Sequence, residues 1–459
     1  MAEAYDAIVI GTGQAGPPLA VRLAAAGRRV AIVERKRFGG TCVNNGCIPT
    51  KTLVASARAA WVARNAAAYG VVVVGDVRVD MREVKARKDA IVAESTGNIE
   101  RWLRGAPNVT VVQGHARFDA PTTVSVDGRM LTAPQIFVNV GGRPAVPPIA
   151  GLAEVDYLTS TGMMEVSTLP EHLVVVGGSY IGLEFAQMYR RFGSRVTVVE
   201  MAPRLIARED EEVSTAVQRI LEREGIEVRT GAKCLAVARR GNGVAVNVEC
   251  EREPREIVGS HLLLAVGRVP NTGDLGLDRA GVATDAKGYI PVDDRLATNV
   301  PGIYALGDAN GRGAFTHTSY NDYEIVAANL LDGDDRKLSD RFPVYALFTD
   351  PPLARAGMSV QEARASGRPV LVGRRDMKRV GRARERGETQ GFMQVLVDGQ
   401  TQRILGAALL GIEADEAIHC IIDVMSAGAP HTAIRRAVHI HPTVAELIPT
   451  LLGELQPLA

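Results

Sequence analysis

The chemistry of this chain is concentrated in one stretch, Gly39-Gly40-Thr41-Cys42-Val43-Asn44-Asn45-Gly46-Cys47-Ile48-Pro49-Thr50-Lys51. It sets two of only five cysteines five residues apart. Two neighbouring thiols can cycle between dithiol and disulfide. An unbroken helix would prevent it, because residues five apart point about 140° away from each other. Their Cα atoms would then lie beyond the roughly 7 Å within which a disulfide closes. The segment from Val43 to Gly46 must be looped or distorted if the cysteines are to pair, and Asn44, Asn45 and Gly46 tolerate such turns. Pro49 suits the first turn of a helix. Cys47 is then at a helix N-terminus, where the dipole favours a thiolate, and Lys51 shares its helix face. The pattern is that of a redox pair with one activated sulfur.

Two other uses of the cysteines fit less well. A structural disulfide suits a secreted protein, but Met1 to Asp6 is short and polar for a signal peptide, and the strand-like run Ala7 to Ile10 follows at once. A zinc site needs two further ligands at short spacing, whereas Cys234, Cys250 and Cys420 stand singly and read as buried thiols. No resident metal is expected.

The elements that must position this pair come as a repeat. Ala7 to Ile10 is an apolar strand that runs into Gly11, Gly13 and Gly16, then an alanine-rich helix to about Ala26 and a strand Arg29 to Val33 ending in Glu34. Leu173 to Val176 runs into Gly177, Ser179 and Gly182, then a helix through Arg191 and a strand Arg195 to Val199 ending in Glu200. In both copies the first glycine and the terminal Glu are 23 residues apart. A lone glycine fingerprint is weak, but two copies in strand–turn–helix context predict two dinucleotide sites. Glycines let the backbone approach a pyrophosphate at the helix N-terminus, and the carboxylate accepts hydrogen bonds from a ribose. Two such sites beside a dithiol imply an electron path from nicotinamide to flavin to disulfide. Glu200 favours NADH over NADPH, since a carboxylate there repels a 2′-phosphate; Arg204 and Arg208 close behind it would soften that preference.

Bulk properties narrow the class. The 459 residues are 46% hydrophobic, enough for several domains, and 53 basic against 52 acidic side chains leave a net charge of +1. That balance gives no footprint for nucleic acid or an anionic membrane, and no apolar run reaches the ~18 residues of a membrane span. The expectation is a soluble cytoplasmic protein. The basic cluster Lys378 to Arg386, broken by Gly381, Ala383 and Glu385, reads as a solvated loop or edge strand.

These residues resemble the class I pyridine nucleotide-disulfide oxidoreductases, the family of glutathione reductase, dihydrolipoyl dehydrogenase and mercuric reductase, over essentially the whole chain. Gly39 to Lys51 looks like its redox-disulfide signature, and Thr298 to Asp308 its second flavin motif. Val266-Gly267-Arg268-Val269-Pro270-Asn271 is similar to the return from the nicotinamide to the flavin domain, and His439-Ile440-His441-Pro442-Thr443-Val444-Ala445-Glu446 to the carboxy-terminal acid/base motif. The resemblance implies FAD and a nicotinamide cofactor, with Cys47 as the thiolate beside the flavin and Cys42 as the sulfur that attacks substrate. Lys51 and Glu184 would form an ion pair near the flavin, and Tyr180 would gate the nicotinamide. Cofactor contacts, besides the two fingerprints, would include Gly40, Thr41, Lys51, Gly142, Gly267, Gly307 and Asp308. His441, oriented by Glu446, would shuttle protons and would come from the partner subunit of a homodimer. Local roles stay open beside these: Thr443 to Glu446 is also a capping box, Tyr180 would equally pack over the sheet, and His439 reads as a local hydrogen-bonder.

The implied fold is α/β: two Rossmann-like dinucleotide-binding domains and an α+β dimerisation domain. The flavin domain would be residues 1–150 and 271–342, the nicotinamide domain 151–270, and the dimerisation domain 343–459. Runs Gly391 to Val397 and Arg403 to Leu410 around Asp398-Gly399 suggest a hairpin in the last of these. Segments Phe315 to Asp322 and Phe348 to Met358 look like mercuric-reductase-like flavoproteins, nearest the branch implicated in reducing reactive chlorine species, hypothiocyanous acid or copper(II). True mercuric reductase is not expected, since the sequence closes on Gly453-Glu454-Leu455-Gln456-Pro457-Leu458-Ala459 without that enzyme's cysteine pair and opens without its metal-binding extension. Dihydrolipoyl dehydrogenase and a reductase of low-molecular-weight disulfides are the alternatives.

Overall fold

Strands that are apolar throughout are the first determinant of the architecture. Strand β1 (Ala7–Ile10), helix α1 (Gly16–Ala25) and strand β2 (Val30–Glu34) form the first βαβ unit, and every residue of both strands is buried. Such continuous burial belongs to a parallel sheet covered on both faces. The computed structural model describes residues 2–249 and 255–458; Cys250, read above as a buried thiol, lies outside them.

Helix α2 (Gly40–Asn44), α3 (Cys47–Arg64) and α4 (Met81–Gly105) follow, then strands β3 (Val109–Gln113) and β4 (Gln135–Val138). The second unit repeats the first: β5 (His172–Val176), α5 (Tyr180–Phe192), β6 (Arg195–Val199), β7 (Glu227–Arg229) and β8 (His261–Leu264). Strand β9 (Ile303–Ala305) then returns to the first sheet, whose order is β9-β4-β1-β2-β3, all parallel. The second sheet runs β8-β5-β6-β7 with Leu158–Thr159 outside β8, again all parallel. The two passages between the sheets lie side by side, Gly142–Pro144 antiparallel to Arg268–Pro270.

Helix α6 (Thr316–Ala327) leads into an antiparallel sheet of β10 (Val344–Leu347), β11 (Leu353–Gly357), β12 (Val370–Asp376), β13 (Phe392–Asp398) and β14 (Ile404–Leu410), closed by helices α7 (His419–Ser426) and α8 (Leu447–Gly453). The expected hairpin is β13–β14. Its connection is longer than Asp398-Gly399, because the Asp398 carboxylate accepts from the Gln400 and Thr401 amides at 2.9 and 3.0 Å and folds an Asx turn.

The cluster Lys378 to Arg386 is not a loop or edge strand. It forms a 3-10 turn, Met377–Arg379, and a short helix, Gly381–Glu385. Met377, Val380 and Ala383 are buried at three-residue spacing, a helical stripe that the surrounding charges conceal. One apolar core joins the three units, with Leu53 and Ala57 of α3, Leu183 and Phe185 of α5, and Leu353 and Leu410 of the antiparallel sheet. Among the described residues no helix is long and apolar enough to cross a membrane.

Candidate active site

The cysteines meet because the helix between them breaks. Asn45 (φ −139°, ψ 5°) and Gly46 (φ −124°, ψ −116°) leave the helical region, and α3 restarts at Cys47. A Cβ on Gly46 would lie 2.9 Å from the Thr41 carbonyl oxygen, so the bend closes only on glycine. Asn44 fastens it, its amide donating to the Phe38 and Gly40 carbonyls at 2.8 and 3.0 Å. Both sulfurs are free thiols, Cys42 half-buried and Cys47 exposed.

Their acidities diverge. The hydrogen bond from Cys42, then the Thr316 hydroxyl 3.1 Å away and the Lys51 ammonium, lower Cys47 to about 6. The same bond to Cys47, with burial, pushes the Cys42 thiol far above its ordinary range. These contacts favour negative charge on Cys47 and a proton on Cys42. Thr316, at the start of α6, lies in a segment quoted for its resemblance, yet sequence reasoning did not single it out.

Lys51 reaches across to α5, its ammonium 2.7 Å from Glu184, whose side chain is only 8% exposed. The second Glu184 oxygen accepts from the Phe348 amide at 3.0 Å, and Lys51 lies 4.4 Å from the Phe348 ring centroid. Three parts of the fold thus converge on the start of the redox helix.

The two fingerprint carboxylates are held alike. Glu34 accepts from the Thr12 amide at 3.0 Å and the Lys36 amide at 2.8 Å; Glu200 accepts from the Gly178 amide at 2.6 Å and the Ala202 amide at 2.7 Å. Ser179 precedes α5 and Gly182 lies buried in its first turn. The remaining expected cofactor residues meet at Arg268, next to Gly267: its guanidinium lies 2.5 Å from the Gly142 carbonyl oxygen, 3.5 Å from the Thr41 hydroxyl and 3.5 Å from Asp308. Burial, opposed by Arg268, raises the Asp308 carboxyl. Gly307 is pinned from below by the buried Asp322, which accepts from its amide at 2.8 Å and is braced by Arg341. A Cβ on Gly40 would lie 2.8 Å from Gly13 Cα, so the redox segment rests directly on the first fingerprint. These residues fit FAD in their chemistry: fingerprint glycines, the Glu34 carboxylate and the Gly307-Asp308 turn are of the kinds that FAD would need.

Tyr180 is half-buried, its ring edge-on to Tyr345 at 5.6 Å. Its hydroxyl donates to Glu209 at 3.0 Å, as does that of Tyr345 at 2.6 Å, and Arg355 donates to the other oxygen. Burial and Glu209 raise the Tyr180 phenol. Nothing in the local sequence pointed to Glu209 or Arg355.

His441 pairs with Glu446 of its own segment. Its Nδ1 lies 2.9 Å from Glu446, which as an acceptor fixes the proton on Nδ1 and leaves Nε2 outward; the side chain is 79% exposed. Only half of the capping box forms, the Thr443 hydroxyl accepting from the Glu446 amide at 3.3 Å while the carboxylate turns to His441. Arg382, from the misread basic cluster, donates to the Pro442 carbonyl at 2.5 Å. His439 makes a local contact, Nδ1 3.3 Å from the Ala437 carbonyl oxygen. Burial raises the Cys420 thiol to about 11 and also raises Cys234. Among the described residues no three His, Cys, Asp or Glu side chains cluster as metal ligands would.

Comparison with known proteins gives the family. Residues 5–322 match the family described as pyridine nucleotide-disulphide oxidoreductase, and residues 344–452 match its dimerisation domain. The chain is 36% identical over 457 residues to the probable pyridine nucleotide-disulfide oxidoreductase RclA of Escherichia coli (strain K12), covering 98% of this chain and 99% of the relative. It is 34% identical over 448 residues to dihydrolipoyl dehydrogenase of Thermus scotoductus (strain ATCC 700910 / SA-01), covering 97% and 96%. Its fold is similar to the Cu(II) complex of the HOCl-induced flavoprotein disulfide reductase RclA from Escherichia coli, with a TM-score of 0.90, 35% identity and 99% of each chain covered. The chain belongs to the class I pyridine nucleotide-disulfide oxidoreductases, FAD-dependent enzymes that use a pyridine nucleotide.

Proposed function

We propose that this protein is an NADH-driven reductase of the cytoplasm, in which the Cys42–Cys47 dithiol reduces a small oxidant: hypothiocyanous acid or another reactive chlorine species, or Cu(II). The observation that carries the reading is the thiolate Cys47 beside a protonated Cys42 at the Lys51–Glu184 pair, in a chain similar over its whole length to a reductase described as HOCl-induced and bound to Cu(II). Residues 1–150 and 271–342 hold FAD, residues 151–270 the nicotinamide, and 343–459 join two copies. Flavin, when bound, carries two electrons from the nicotinamide to the disulfide.

The chain's own residues do the rest. Cys47 stays thiolate against the flavin. Cys42 loses its proton to His441 of the partner subunit, and its sulfur attacks the electrophilic sulfur of hypothiocyanous acid. A Cys42–thiocyanate sulfenyl bond forms and hydroxide leaves, taking the proton from His441 as water. Cys47 then attacks the Cys42 sulfur, thiocyanate leaves, and the disulfide remains; two electrons have passed from the dithiol to the oxidant. Tyr180 covers the nicotinamide side until the cofactor enters. Exposed Val438 and Ile440 beside His441 give that loop an apolar footing for a second copy.

The test is NADH consumption by the FAD-loaded enzyme with hypothiocyanite, Cu(II), lipoamide and glutathione disulfide. Fast turnover with either of the first two and little with lipoamide is expected. The reverse order would make it a dihydrolipoyl dehydrogenase, the reading that the Thermus relative favours.

Cofactor choice has its own test. Arg204 donates to the Ala207 and Glu209 carbonyls at 3.3 and 3.4 Å, and Glu200 is the group assigned the choice between ribose hydroxyl and 2′-phosphate, against Arg204 and Arg208. Glu200→Ala is expected to shift the kcat/KM ratio at least ~10-fold toward NADPH, one hydrogen-bonded carboxylate being worth about 1.4 kcal/mol or more. An unchanged ratio in a folded variant removes Glu200 from the selection.

A further inference from the structure

The two dinucleotide folds of this chain share a backbone corner but differ in one side chain there. At the end of β4, the Asn139 amide donates to the Ile10 carbonyl at 2.8 Å; at the end of β8, the Ala265 amide donates to the Val176 carbonyl at 2.8 Å. A Cβ on Gly11 would lie 2.3 Å from the Asn139 carbonyl oxygen, and one on Gly177 2.4 Å from that of Ala265. On Gly16 it would meet the Gly11 carbonyl oxygen at 2.2 Å, and on Gly182 the Gly177 carbonyl oxygen at 2.0 Å. The corners match atom for atom in the main chain.

In the nicotinamide fold the corner carries a methyl. In the flavin fold it carries a carboxamide, only 5% exposed. Its Nδ2 lies 3.2 Å and 3.0 Å from the Cβ positions of Gly13 and Gly16, and its Oδ1 lies 3.3 Å from that of Gly307. The amide therefore spans the seam between the two flavin motifs. Nδ2 has no hydrogen-bond partner in the protein. A buried amide donor without an acceptor is costly, and the acceptor that a glycine turn at a helix N-terminus receives is a phosphate oxygen.

We propose that Asn139 is a flavin-binding residue whose side-chain amide donates to a pyrophosphate oxygen of FAD, and that Ala265 withholds the same contact from the nicotinamide dinucleotide. The two folds thereby hold their ligands unequally: FAD stays resident, while the nicotinamide dinucleotide exchanges each cycle. The inference rests on FAD occupying the first fold, and a wild-type protein that binds no FAD would fail that premise rather than this assignment.

Dilution of the holoenzyme, followed by the fluorescence of released FAD, tests it. Asn139→Ala is expected to raise the FAD Kd at least ~10-fold, and the isosteric Asn139→Asp further, since a carboxylate repels phosphate. Asn139→Ser, a shorter donor, should recover part of the loss. The Kd for NAD+ should stay within about twofold in all three, because the second corner is untouched. Ala and Asp variants that lose FAD equally, or a serine that recovers nothing, would show that the side chain only fills space and would overturn the assignment.

Discussion

With FAD bound, Cys42→Ser shows long-wavelength absorption before any reductant is added, Cys47→Ser shows none under any condition, and neither turns over oxidant. The asymmetry follows from the geometry of the pair. Cys47 opens α3, and its charged form is favoured first by the hydrogen bond from residue 42, a donor that a serine hydroxyl retains, and then by the Thr316 hydroxyl and by Lys51 one turn on. Without Cys42 it has no disulfide partner and is a permanent thiolate, free to form a charge-transfer contact with the flavin. Cys42 sits on the other side of the break, half-buried, where its bond to Cys47 keeps the proton on it; without the Cys47 sulfur, burial still favours its neutral thiol over the weaker opposing contact with Thr316. Loss of either nucleophile should cost about 1,000-fold or more in turnover. The sign of the pH dependence is set by the same shift. A thiolate lowered to about 6 is deprotonated above that value, so the band of two-electron-reduced wild type should persist from neutral pH downward and fade as pH drops through about 6. Spectra of the two variants that coincide, or a band that strengthens on acidification, would mean the sulfur roles are reversed.

What could be read from the chain beforehand, and what could not, divides by distance along it. The break between Cys42 and Cys47, both glycine fingerprints and their terminal carboxylates are local patterns, each set within a few dozen residues and each tied to a backbone requirement. The groups that tune them are not local. Arg268 gathers Thr41, Gly142 and Asp308 from segments up to 227 residues away, and Glu209 meets Arg355 across 146 residues. No spacing rule announces such pairs, because a charged residue in a polar stretch looks the same whether it is solvated or buried against a partner. The cluster Lys378 to Arg386 failed the other way: its charges hid the buried stripe of Met377, Val380 and Ala383. That helix in turn supplies Arg382, which holds the Pro442 carbonyl beside His441.

His441→Ala should slow dithiol–disulfide exchange with the oxidant by about 100-fold or more, the usual size of a general acid–base contribution, while flavin reduction by NADH changes little. Only the first half-reaction of this pair moves a proton to or from Cys42, the sulfur that burial and its neighbour keep protonated. Glu446→Gln should fall between wild type and alanine, because an amide still holds Nδ1 but no longer stabilises the imidazolium. Equal losses in both half-reactions would place His441 in folding rather than proton transfer. The origin of the histidine can be separated from its role. In this chain the ring is 79% exposed, turned outward by Glu446, on a loop where Val438 and Ile440 are also bare. Such a loop makes sense only if another surface receives it. If the receiving surface is the second copy's dithiol, mixing Cys42→Ser subunits with His441→Ala subunits rebuilds one intact site per mixed dimer, an intact Cys42 facing an intact His441. Random exchange should then restore about a quarter of wild-type turnover from two nearly inactive parents, half the dimers being mixed and each having one working site of two. If each chain used its own histidine, every site in the mixture would lack one group, and turnover would stay at the level of the parents.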